Sequence, residues 1–304
     1  MDPDYGGSVL QENEIQTEMR ENMCNIRKVF RVFMAQFRQE IFSSRTIAVF
    51  VVMGIYLYSI LDPIGIMVVE TGIHATPTAF VHIMNDYVCQ TILTIGIVFL
   101  YSTAPFRRDS FPYIVYRSGQ RNWECGNVLY IFSSSLIYTL FILFVSVLAL
   151  WDKLDFDTVG WGKIWGTLAR TNAAYQFGVK LSVSDYLLGK YEPGFAVPFT
   201  FFVVWACYFF IGLVMYFCNL HIKRGSGIIF AGICVFFDTM VYNSWTPWAY
   251  LFSPLSLAKL TTFTGYHKHF GLTLSYAGFF MTAGILIMCS SIFVLAGKKE
   301  RDYE

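Results

Sequence analysis

Residues Val128–Trp151 read VLYIFSSSLIYTLFILFVSVLALW, without one charged side chain. A membrane-crossing helix needs about 20 mostly apolar residues to traverse about 30 Å of hydrocarbon, and this run is long enough. Val197–Leu220 and Leu272–Ala296 are equally free of charge. Thr46–Val69 is interrupted by Asp62-Pro63, Val88–Ala104 is shorter, and Gly227–Val241 is shorter still and carries Asp238. The six runs together predict an all-α membrane protein of six transmembrane helices.

Composition agrees. Hydrophobic residues make up 55% of the 304 and charged ones 14%, where a soluble domain carries about 25% charged residues. A mean hydropathy of +0.50, with 30 Phe, 19 Tyr and 7 Trp, excludes a disordered chain and argues against a water-soluble globule. The net charge of +1 says nothing about partners, but the placement of charge does. With both termini in the cytoplasm, the inner side holds fifteen Lys and Arg against seven outside, as the positive-inside rule requires.

The organisation that follows is a polar tail over 1–25, an amphipathic helix within 26–45 and a transmembrane domain over 46–304. The last includes a long outer loop at 152–196 and an outer segment at 242–271 that dips back toward the membrane. The tail is acidic where a cleavable signal would be basic and then apolar, so the first span is expected to be retained. None of the seven cysteines falls in the two long outer loops and no Cys-x-x-Cys pair occurs. A disulfide framework or redox site is not expected.

Between the spans, Ile26, Val29, Phe30, Phe33, Met34, Phe37, Ile41 and Phe42 recur at helical spacing with Arg27, Lys28, Arg31 and Arg38 between them. This pattern predicts a basic amphipathic helix suited to the inner headgroup layer. The inner loop Arg107–Trp123 combines Phe111, Tyr113, Tyr116 and Trp123 with Arg107, Arg108, Arg117 and Arg121. Aromatic residues and Arg together favour interface cores, although they also suit simple anchoring at a membrane surface. A short helix ending near Ser118-Gly119 would present Tyr113, Tyr116 and Arg117 to the cytoplasm. Outside, Trp161, Ile164, Trp165 and Leu168 predict an amphipathic helix lying on the outer interface or packing on neighbouring spans. Trp245–Leu257 is apolar, but Pro247 and Pro254 prevent one straight helix.

Chemistry is sparse. Asp238 is the one acid well inside an apolar run, which makes it a candidate for the substrate path or for local structure. His74 and His82 lie near Glu70 and Asp86, but no His-Glu-x-x-His spacing, Gly-x-Ser-x-Gly elbow or phosphate-binding Gly-x-x-x-x-Gly-Lys loop occurs. If ATP is used, another chain binds it.

The basic helix before the first span, the inner loop Tyr116–Trp123 and the Trp248–Leu257 stretch with Phe252-Ser253-Pro254-Leu255 resemble the membrane subunit of type-2 ABC exporters. The outer loop at 152–196 is longer than that family's short turn. The resemblance implies two membrane subunits, identical or different, paired with ATP-binding cassette ATPase subunits that bind ATP and Mg. It implies no cofactor and no catalytic or metal site in this chain. The coupling helix of such a permease would fall on about Phe106–Tyr116. Its ATPase contacts would be Phe106, Arg107, Arg108, Phe111, Tyr113 and Tyr116, with Arg117 and Arg121 as charged supports. The connecting helix would carry Phe30, Phe33 and Phe37. Further expectations are export of a hydrophobic or amphipathic substrate such as a peptide or lipid, residence in a bacterial plasma membrane, contact with the lipid bilayer, and no nucleic-acid partner. Two alternatives are an immunity or sensor protein that holds a peptide without transport, and a membrane-embedded metalloenzyme built on Glu70, His74, His82 and Asp86.

Overall fold

The computed structural model describes residues 25–106, 111–223, 225–245, 248–264 and 272–301, and among them every regular element is a helix. The chain opens with α1 (Ile26–Ile41), which Asn25 caps by accepting the Arg27 and Lys28 N–H groups on its side chain. Ser43 caps α2 (Ser44–Thr71) in the same way through Thr46, and Gly72 in the left-handed region ends it. Pro63 lies inside α2 and the helix continues through it, so Asp62-Pro63 does not divide the first span. Tertiary packing offsets the one lost backbone bond, as it does for proline in many membrane helices.

Next come α3 (Ala79–Asn85) and α4 (Tyr87–Tyr101), which meet at 86°. The bend is Asp86, whose backbone is extended and whose side chain accepts the Cys89 N–H as the cap of α4. A capping carboxylate satisfies a helix-terminal donor and so favours starting a new helix over continuing the old one. α5 (Phe111–Ser118) ends at Gly119, whose φ of 83° turns the chain into α6 (Gln120–Leu148). That helix begins eight residues before the apolar run and carries the buried Glu124.

After a 3-10 turn at Trp151–Lys153, the long loop folds into α7 (Gly162–Arg170), α8 (Ala173–Gln176) and α9 (Asp185–Lys190). Ile164, Trp165 and Leu168 form the buried face of α7, as their spacing predicts. α10 (Pro193–His221) and α11 (Ser226–Tyr242) follow, then the short α12 (Ala249–Phe252) and α13 (Pro254–Leu257), a 3-10 turn at Leu260–Phe263, and α14 (Leu274–Arg301).

Among the described residues, α2, α6, α10 and the Leu274–Leu295 part of α14 are long and apolar enough to cross a membrane, and the bent α3–α4 pair makes a fifth. α11 is apolar but has 17 residues, about 26 Å at 1.5 Å per residue. The described residues are thus helical with four to five span-length elements, where the six apolar runs predict six.

α6 and α10 form the middle of the bundle, with α2 and α4 on one flank, α11 and α14 on others, and α1 lying along the start of α6. In its most apolar window α10 is 67% buried and α14 only 11%, so α14 shows most of its apolar surface outward. α1, α5 and the α10–α11 turn gather at one end of the bundle, called here the basic end. α3, α7, α9, α12 and α13 gather at the other, the loop end, where Ala75 bridges Leu154 and Thr261 N–H donates to Asn85.

Candidate functional site

At the basic end, α1 meets α6 through Val32, Gln36 and Glu40, spaced four apart on one face. The approach is close because position 126 is glycine: a Cβ there would lie 2.6 Å from Val32 Cγ1. Asn122, in the first turn of α6, binds the two neighbouring helices. Its Oδ1 accepts the Asn25 N–H at 2.7 Å and its Nδ2 donates to the Ser118 carbonyl at 2.7 Å. Glu40 accepts from Arg45 at 2.6 Å, and Arg45 also donates to the Thr103 hydroxyl. Ion pair and side-chain bonds thereby fasten α1, α2 and the end of α4 to one another.

The aromatic residues of the sequence pattern divide. Phe33 and Phe37 pack against the core, while Phe30 remains half exposed. On α5, Ile114 and Val115 turn inward and Tyr113, Tyr116 and Arg117 outward, with Tyr116 92% exposed. Phe106 is buried edge-on to Tyr130 at 5.0 Å, so its side chain is not on the surface that carries Tyr113 and Tyr116. Arg107 and Arg108 lie outside the described residues, as does the side chain of Phe111, and Arg121 is half-buried. Among the described residues the exposed aromatic-basic surface therefore includes Phe30, Tyr113, Tyr116 and Arg117, held on helices that are bonded to α6.

At the loop end, Asp238 of α11 is 1% exposed and is paired with Lys259, whose Nζ lies 2.8 and 2.9 Å from its two carboxylate oxygens. Ser256 of α13 donates its hydroxyl to Asp238 at 2.6 Å. Lys259 also lies 5.2 Å from the centre of the Tyr87 ring, whose other neighbour is the stacked Tyr242 at 4.0 Å. Pairing, a hydrogen bond and an aromatic face together supply what a buried charge needs. The segment after α11 is folded back onto that helix by this pair and by Gln90 of α4, which donates to the Leu255 carbonyl at 3.0 Å.

Beside the pair opens a cavity of about 350 Å³. Asp86, Tyr87, Lys259 and the hydroxyl residues Thr261, Thr262 and Thr264 line it together with His82. His82 is 1% exposed, lies 4.4 Å from Trp165 and 5.2 Å from Trp161 between ring centres, and leaves Nε2 without a hydrogen-bond partner. A wider hollow nearby is lined by His74, Asp155, Lys163 and Arg170. There the Thr158 hydroxyl and the Asp157 N–H donate to Asp155 and hold its carboxyl below the usual range.

His74 and His82 fall in different hollows, and no group of three His, Cys, Asp or Glu side chains able to hold a metal is present among the described residues. Lys259 and Tyr87 are the site residues that sequence patterns miss, while Asp86 is singled out there only as a member of a metal cluster. Lys259 reads as an ordinary loop charge, and the one available signal is its place in the apolar stretch Pro254–Leu260. In comparisons with protein-family models, curated proteins and solved structures, the chain matches none.

Proposed function

We propose that the chain is the membrane subunit of an ATP-driven exporter of the type-2 ABC class, with ATP and Mg bound by a separate ATPase subunit. The observation that carries this reading is the exposed surface of Phe30, Tyr113, Tyr116 and Arg117 at the basic end. It stands on α1 and α5, and Asn122 bonds both to the first turn of α6. A surface so attached is a lever: a partner that displaces α5 moves a span-length helix with it. Exposed Tyr and Arg on a rigid support are also the residue types that anchor protein contacts.

On this reading the basic end faces the cytoplasm, six helices including α11 cross the membrane, and two such subunits assemble with two ATPases. The apolar, aromatic bundle suits a hydrophobic or amphipathic cargo. The test is purification of the tagged protein from its native membrane, wild type against a Tyr116→Ala, Arg117→Glu double variant. A nearly equimolar ATPase should accompany the wild type and be lost from the variant. Recovery of no ATPase with either protein would overturn the reading.

A further inference from the structure

The loop-end cavity carries a buried carboxylate on its wall. Asp86 is 7% exposed and makes no ion pair among the described residues. Each of its oxygens takes one backbone N–H, from Cys89 at 2.8 Å and Ser182 at 3.2 Å, which leaves lone pairs on both. Three hydroxyl protons nearby are committed inward. Ser256 gives its proton to Asp238, Thr262 to the Ser256 carbonyl and Thr264 to the Thr261 carbonyl, so those oxygens offer acceptors. Asn85 directs its amide N–H₂ at Val81 and its oxygen at the Thr261 N–H. Among the described residues the one cation on the wall is Lys259, whose charge is matched by Asp238 at 2.8 and 2.9 Å.

Two further observations point to a ligand. The Nε2 atom of buried His82, on the same wall, has no hydrogen-bond partner. Tyr186 and Tyr250 supply aromatic surface at the opening and wall. A volume of about 350 Å³ is within the range of small-molecule sites. We infer that this cavity binds the primary ammonium group of an aromatic or alkyl amine, with Asp86 as its counter-ion. Its other N–H groups meet hydroxyl oxygens of the wall, and its apolar stem lies along the tyrosines. An anion would meet the Asp86 carboxylate as a like charge. The inference needs no ATPase and stands apart from the transport reading.

The experiment is isothermal titration of the full-length protein in detergent micelles at neutral pH with three probes. These are phenethylamine, its neutral isostere 2-phenylethanol and the anionic 3-phenylpropionate. The amine should bind at least about tenfold more tightly than the alcohol, because a charge-assisted bond to a buried carboxylate exceeds a neutral one. Asp86→Asn removes the charge but keeps an amide oxygen to cap α4. It should erase the preference for the amine over the alcohol. Should that variant fail to fold, Ser184→Lys places a tethered ammonium at the rim and should exclude phenethylamine. Equal affinity for the three probes, tighter binding of the propionate, no binding at all, or amine binding unaffected by either folded variant would each overturn the inference.

Discussion

The carboxylate of Asp238 and the ammonium of Lys259 lie 2.8 Å apart, with side chains 1% and 8% exposed, so neither charge has much water to fall back on. Removing one member of such a pair strands the other, which costs more than the pair itself contributes. Lys259→Met should lower stability by about 3–5 kcal/mol, and Asp238→Asn added to it should restore most of that loss. Unfolding in mixed micelles of the single and double variants measures both; a double variant as unstable as the single one would mean that the pair is not the source. Trp165 makes a different case of the same principle. Its buried ring packs on His82 and its Nε1–H donates to the Thr76 carbonyl at 3.2 Å. Trp165→Ala should cost about 3–5 kcal/mol through the cavity it opens, read by the same unfolding assay.

At the scale of elements, attachment of α1 depends on close approach at Gly126. Gly126→Leu forces side-chain atoms into Val32, and overpacking of that kind costs about 1–3 kcal/mol. The expected outcome is selective loosening of α1, seen as faster amide hydrogen exchange over 26–41 with α10 unchanged. The α10–α11 turn is held by Asn219, whose Oδ1 accepts the Gly225 and Gly227 N–H groups at 3.0 and 2.7 Å while its Nδ2 donates to the Ala104 carbonyl at 3.0 Å. Asn219→Ala leaves helix-terminal donors unsatisfied and should destabilise by about 1–2 kcal/mol. Faster hydrogen exchange at the start of α11 would report it.

The arrangement of the whole molecule in a membrane makes its own prediction. Tyr116 is at the basic end and Val159, 98% exposed, is in the long loop beyond the far end of α6. In a cysteine-free background, Tyr116→Cys and Val159→Cys should react with an impermeant maleimide from opposite sides of sealed vesicles. Lys223→Cys and Trp245→Cys flank α11 and decide whether it crosses. Labelling of these two from opposite faces completes six spans, whereas labelling from one face makes α11 a re-entrant helix and removes the six-span layout on which the exporter reading relies.

Apolar length is a local property of the chain, so the long helices were written in it: only a helix satisfies its backbone groups within one segment. Helical spacing likewise foretold α1 and α7, and Gly119 foretold the end of α5. Periodicity did not foretell which face of α1 would be covered. The stripe Val32–Gln36–Glu40 meets α6 because Gly126 lies opposite, a fact of two helices and not of one. The bend at Asp86 was hidden because a capping acid and a mid-helix acid look alike until the Cys89 N–H is seen to take the carboxylate. Most of all, the loop-end site joins residues from 82 to 264, and charge pairing across such separations obeys geometry, not spacing. The sequence by itself determined a helical, membrane-suited chain with a basic amphipathic start. Only the tertiary structure decided that Lys259 neutralises Asp238 and that, among the described residues, Asp86 has no counter-ion, because desolvation acts on a charge according to what surrounds it in space.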